Sequence, residues 1–221
     1  MKRYLNLVIG ALLCFTPATV AQESEIPASA LVVARFSQAD LSQWDEKAFE
    51  GNTRYSLVSL DGEQVLKAES ESSASGLFRE MEVDLGKTPF INWRWSIERP
   101  LDIEDETIKS GDDYAARIYI VHKTGVFPWS LIAVNYVWSS AHPIGKTWKS
   151  AVTDKACLIA VESGGDNAGS WQMQKRNVLQ DFKTCFGEDV QKIDAVAIMT
   201  DTDNSKGSAV AYYGDIYFST D

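Results

Sequence analysis

The sequence predicts an all-β fold, a two-sheet antiparallel β-sandwich of jelly-roll type with one short helix. Three observations point there. Apolar and polar residues alternate with a period of two in one run after another, as strands with one buried face require. Turn residues separate these runs at short intervals. Only one segment has helical spacing. Many strands, one helix and no break in composition imply two sheets around one core, in a single domain over residues 30–221.

The elements follow in order. Residues 1–21 read as a signal peptide: Lys2 and Arg3 form its charged start, and Leu5 to Phe15 is an apolar run too short to span a bilayer. Thr19-Val20-Ala21 supplies small residues for cleavage near Ala21. Leu13 precedes Cys14, where a lipoprotein signal needs a small residue. Residues 22–29 form a short polar linker. Strand-like runs then cover residues 30–36, 54–60, 64–69, 76–85, 90–98, 114–122, 131–139, 157–162, 171–177, 192–200 and 209–219. Asp61-Gly62 is a strong hairpin-turn signal between two of them. In the 90–98 run Ile91, Trp93, Trp95 and Ile97 share one face, and Asn92, Arg94, Ser96 and Glu98 the other. The helix begins after Asn177 as its cap, gathers Val178, Phe182, Cys185 and Phe186 on one face, and ends at Gly187.

Charge and cysteines bound the function. The chain carries 31 acidic against 21 basic residues, a formal charge of −10, and the signal peptide removes two cations and no carboxylate. That acidity argues against nucleic acid and anionic lipid surfaces; it suits a neutral or cationic partner, divalent cations, or solubility alone. No segment after the signal approaches membrane-spanning length. Cys157 and Cys185 are the only cysteines beyond residue 21, and in an oxidising compartment they are expected to form one disulfide. Its loop contributes roughly 3–4 kcal/mol by the chain-entropy argument. The expected location is the periplasm or the exterior.

Candidate site residues cluster at strand mouths. Asp112 and Asp113 precede the 114–122 run, and Arg117 stands inside it, where a charge is costly unless paired or wet. Asp113 and Arg117 share a strand face about 13 Å apart, so Arg117 needs a partner from a neighbouring strand or a ligand. Asp201, Asp203 and Asn204 follow another apolar run. Their alternating oxygens resemble a calcium loop, but Lys206 and Tyr212 stand where glycine and a bidentate glutamate belong. A hairpin loop with capping side chains is the competing explanation; a Ca2+ site would need a distant oxygen such as that of Asp215. Trp129, Trp148 and Trp171 lie near loops, where a ring can stack on a sugar. Arg94 and Arg176 are further candidates for binding ligand oxygens.

Catalytic templates are incomplete. There is no Gly-x-Ser-x-Gly elbow and no phosphate-binding glycine loop. Glu98 with Glu104-Asp105-Glu106 could supply two carboxylates for glycoside cleavage. Arg117, Asn135, Tyr119, Tyr136 and His122 are residue types a polysaccharide lyase employs, but they are common in β-rich domains.

Several blocks together resemble one bacterial family of exported proteins, catalogued as domain of unknown function 3047. They are Phe90-Ile-Asn-Trp-Arg-Trp, Gly111-Asp-Asp-Tyr-Ala-Ala-Arg-Ile-Tyr, Tyr136-Val-Trp, Arg176-Asn-Val, Ala197-Ile-Met-Thr-Asp-Thr-Asp-Asn and Tyr212-Tyr-Gly-Asp-Ile. The resemblance covers nearly the whole mature chain and implies an exported single domain without an established activity. Trp44 through the Tyr55 strand, then Ser75-Gly76 and Trp93-Arg-Trp95, look like the opening of galactose-binding-like, carbohydrate-binding jelly rolls, and the late Gly-Asp-Ile-Tyr-Phe looks like theirs too, at the level of fold.

The expectation is a carbohydrate- or glycan-binding protein of the cell envelope. Arg117, Arg94 and Arg176 would bond ligand oxygens, Trp171 would stack, and Asp112, Asp113 and Asp201 would accept hydroxyl bonds. A polysaccharide lyase or glycoside hydrolase using the same groove is the enzymatic alternative, and an envelope scaffold without a small ligand is the third.

Overall fold

Period-two alternation gives each strand one apolar face, and two such faces can be buried only against each other. The computed structural model, which describes residues 26–127 and 129–221, has this arrangement. The expected signal peptide and the first part of the linker lie outside the described residues. The strands are β1 (Leu31–Ala34), β2 (Asp45–Glu50), β3 (Arg54–Leu60), β4 (Glu63–Glu71), β5 (Ala74–Asp84), β6 (Phe90–Ile97) and β7 (Arg117–Lys123). They continue with β8 (Leu131–Ser139), β9 (Thr147–Lys149), β10 (Ala156–Ser163), β11 (Gln172–Asn177), β12 (Lys192–Asp201), β13 (Ser208–Tyr213) and β14 (Ile216–Ser219). The helix α1 (Val178–Phe186) follows β11.

Both sheets have seven strands. One runs β1-β14-β6-β13-β4-β3, with β11 on the free side of β6; the other runs β2-β5-β12-β7-β8-β10-β9. The protein is a β-sandwich, antiparallel throughout except for one parallel ladder between β8 and β10. Between the sheets Trp93 meets Trp95 edge-on at 5.3 Å and stacks on Tyr136 of the other sheet at 5.2 Å. Trp95, Trp138, Tyr213 and Phe218 are fully enclosed with them. Burying such rings dominates the stability of the core.

The helix has the bounds expected. Asn177 accepts from the Gln180 N–H at 3.0 Å, and Gly187 closes the last turn with φ +73°. The Cys157–Cys185 disulfide ties α1 to β10. The Asp61-Gly62 hairpin joins β3 to β4 with positive φ at both residues.

Three local differences from the sequence expectation bear on the site. The run after Gly111 becomes strand only at Arg117. Residues 112–116 have no strand geometry, yet their carbonyls stay tied to the flanking strands: the Asp201 N–H donates to Tyr114, the Thr200 hydroxyl to Ala115, and the Trp138 N–H to Ala116. The last run splits into β13 and β14 at Gly214-Asp215, where the Gly214 N–H donates to the Arg94 carbonyl at 2.9 Å. The charged edge strand β2 and the three-residue β9 were not expected; every residue of β2 is exposed, so no apolar alternation marks it.

Candidate ligand-binding site

The candidate residues fall on two outer faces of the sandwich and at one edge of its core. On the outer face of the β7-containing sheet, Arg117 is buried at 4% exposure. Its cross-strand partner is Asp201 at the end of β12, which accepts from the guanidinium at 2.9 Å. The rings of Tyr114 and Tyr119 flank the guanidinium at 4.7 and 4.6 Å. Burial opposes its charge, but Tyr119, Asp201 and Asp112 more than offset this and hold the guanidinium well above its ordinary pKa. The Asp201 carboxyl is pushed up to about 7, first by burial and then by Asp113, Asp112 and Asp203, with Arg117 pulling the other way. Burial likewise raises Asp112 and Asp203.

Asp113 does not project from a strand. Its carboxylate accepts from the N–H and side-chain amide of Asn204, both at 3.1 Å, and from the Ser205 N–H at 2.6 Å. It caps the loop after β12. Oxygens of Asp113, Asp201 and Asp203 lie within 4.8 Å of one another, the one cluster of three such metal-ligating side chains among the described residues. This differs from the expected set of Asp201, Asp203, Asn204 and Asp215. Asn204 turns its amide donor toward Asp113, and Asp215 lies elsewhere, accepting from the N–H and hydroxyl of Ser37 at 2.9 and 2.6 Å. Since Asp113 is already satisfied by loop N–H donors and Asp201 by Arg117, the cluster also holds together as a loop clamp.

The other outer face is open. A cleft of about 510 Å³ lies across β6, β11 and β14, beside the turn at residues 36–38. Arg94 and Asn92 contribute to it from the outward positions of β6, opposite the face that carries Trp93 and Trp95. Register sets Met173 beside Arg94, and Lys175 and Tyr217 on either side of Asn92. Arg94 pairs with Glu63 and lies over the Trp171 ring at 4.7 Å. Gly214 makes room for it: a Cβ there would come within 2.6 Å of the Arg94 side chain.

The expected site residues are therefore not one groove. Arg117, Asp112, Asp113 and Asp201 are gathered in the buried cluster; Arg94 lines the cleft on the other sheet, and Trp171 lies against Arg94 without lining the cleft itself. One face of Trp171 is already covered by Arg94, so a stacking sugar would meet the opposite face. Arg176 joins neither group. Its neighbour Lys175 faces the cleft, and a strand turns the next residue to the opposite face. Arg176 instead donates to Asp181 of α1 at 2.6 and 3.1 Å, and Tyr136 donates to the same carboxylate at 2.8 Å. Of the other tryptophans, Trp129 is exposed and stacked on Phe127, and Trp148 packs against His142 and Tyr114. Glu98 accepts from Tyr212 on one sheet, while Glu106 is enclosed under the other with Ser139 and Ser140.

Sequence reasoning missed Glu63, Lys175, Tyr217 and Arg35, which also line the cleft. The alternation that put Asn92 and Arg94 outward was visible. The sheet order that brings β11 and β14 to either side of them was not.

The fold and this cleft define a β-sandwich with a polar groove on one outer face. The chain belongs to the family described as Protein of unknown function (DUF3047), whose model matches residues 42–217. No curated protein matches the sequence. Among solved structures it is similar to a family 11 carbohydrate-binding module of a cellulosomal cellulase of Clostridium thermocellum, at 10% identity and TM-score 0.49, covering 89% of this chain and 97% of that one. A family 30 carbohydrate-binding module of another Clostridium thermocellum cellulase gives 11% identity and TM-score 0.48, covering 81% and 92%. Trichoderma harzianum endoglucanase 3 gives 8% identity and TM-score 0.41, covering 81% and 99%. None of these likenesses reaches a TM-score of 0.5.

Proposed function

We propose that this protein is an exported glycan-binding module of the cell envelope and that the cleft over β6, β11 and β14 is its ligand site. The observation that carries this reading is the cleft itself. It is an open groove of about 510 Å³ in which Arg94, Asn92, Lys175 and Tyr217 project from paired strands. Rigid strands hold such groups at fixed spacing, which suits the repeated oxygens of a sugar chain. Trp171 and the exposed Met173 add apolar surface beside them. The disulfide fits an oxidising compartment and supports export. No described helix is long and apolar enough to cross a membrane.

Binding on a glycan array, followed by titration calorimetry with and without calcium, tests the proposal. Saturable binding that is lost in Arg94→Ala is expected. Absence of binding to every glycan, under both calcium conditions, would sink it.

A further inference from the structure

Hydrogen-bond commitments within the cleft are one-sided. Its two carboxylates are occupied: Glu63 is paired with Arg94, and Asp215 accepts two bonds from Ser37. Two of its three cations are not. Arg35 and Lys175 have no carboxylate partner among the described residues, and the Lys175 ammonium rests over the Phe90 ring at 4.9 Å. One end of the Arg94 fork is engaged by Glu63; its other N–H groups have no acceptor among the described residues. A neutral sugar brings as many donors as acceptors and needs both kinds of partner. Against two carboxylates, each engaged by a neighbour, this cleft sets three cations, two of them without a carboxylate partner among the described residues, beside the neutral groups of Ser37, Gln38, Asn92 and Tyr217.

Resting on the glycan-binding reading, we infer that the ligand is an anionic glycan, whose carboxylate or sulfate groups are met by Arg35, Arg94 and Lys175. A guanidinium fork and an ammonium bind such groups through charge-assisted hydrogen bonds stronger than those to a hydroxyl. The chain as a whole is acidic, at −10. Charges beyond a Debye length of about 8–10 Å are largely screened at physiological salt, so the groups inside the cleft set its preference.

The test compares polymers that differ only in charge. The probes are polygalacturonate against its methyl-esterified form, and a sulfated galactan against the unsulfated one, with dissociation constants measured by calorimetry at two salt concentrations. The inference expects the charged member of at least one pair to bind about tenfold tighter at low salt, with the advantage shrinking as salt rises. The pair that responds identifies the anion. The exposed double variant Arg35→Glu/Lys175→Glu should abolish that preference, while Lys109→Glu, at an exposed position of the turn at residues 109–111 outside the cleft's lining, should leave it intact. Equal binding of charged and neutral members overturns the inference but leaves glycan binding standing. A loss in Lys109→Glu as large as in the double variant also overturns it, because the attraction would then be non-specific. Failure to bind any of the four polymers overturns the inference, and the glycan array then decides the glycan-binding reading separately.

Discussion

Arg117 and Arg94 stand on outward positions of strands in opposite sheets, and their surroundings give them opposite roles. Arg117 is buried, paired with Asp201 and flanked by two tyrosine rings. Arg94 keeps about a quarter of its side chain exposed, shares one carboxylate and lies across one indole. A mid-strand arginine is thus no sign of a ligand by itself. What lies over it decides whether its hydrogen bonds hold the fold together or stay available.

The largest expected effect comes from breaking the sealed pair. Arg117→Met leaves Asp201 buried among Asp112, Asp113 and Asp203 without its counter-charge, and should cost about 3–5 kcal/mol of folding stability. Adding Asp201→Asn should recover part of that loss. Arg94→Ala, at a partly exposed pair, should cost less than about 1 kcal/mol. Urea unfolding of the variants checks the contrast, and equal losses at the two arginines would refute it.

These two fates were unequally legible in the sequence. Local signals stated the elements well: period two marked β6, Asp61-Gly62 marked a hairpin, and Asn177 with Gly187 marked both ends of α1. The need of Arg117 for a partner was also readable, because a charge amid Tyr114 to Val121 cannot stay unpaired. The partner could not be read, since Asp201 reaches it only through the antiparallel register of β7 and β12. Long-range pairing likewise assembles the cleft. β11 and β14 are far from β6 in sequence, and the polar run Gln172–Asn177 shows no alternation to reveal that Lys175 faces outward and Arg176 inward.

A smaller effect separates the two regions by pH. The Asp201 carboxyl, pushed up to about 7 from an ordinary 3.8, holds its proton more tightly in the folded protein than in the unfolded chain. Its stabilising contribution is therefore complete below about pH 3.8 and is lost as pH rises through about 7. Relative to Asp201→Asn, the wild-type protein should lose stability between pH 4 and 7. Arg94→Ala, on the other sheet, should keep the wild-type slope. Urea midpoints collected across that range measure both, and parallel profiles for wild type and Asp201→Asn would contradict the assignment.

The smallest expected change in stability is also the most discriminating for the cleft. Gly214→Ala adds one methyl group, whose carbon would fall within 2.6 Å of the Arg94 side chain. The Gly214 N–H bond to the Arg94 carbonyl can persist, because it uses only backbone atoms. The side chain of Arg94 is flexible and about a quarter exposed, so it can swing away at a cost of about 1 kcal/mol or less. The guanidinium would then leave its place over Trp171 while remaining in the protein. If position is what matters, Gly214→Ala should weaken glycan binding nearly as much as Arg94→Ala, with the unfolding midpoint almost unchanged. Full affinity in Gly214→Ala, alongside loss in Arg94→Ala, would mean that the charge of Arg94 matters and its seat on Trp171 does not.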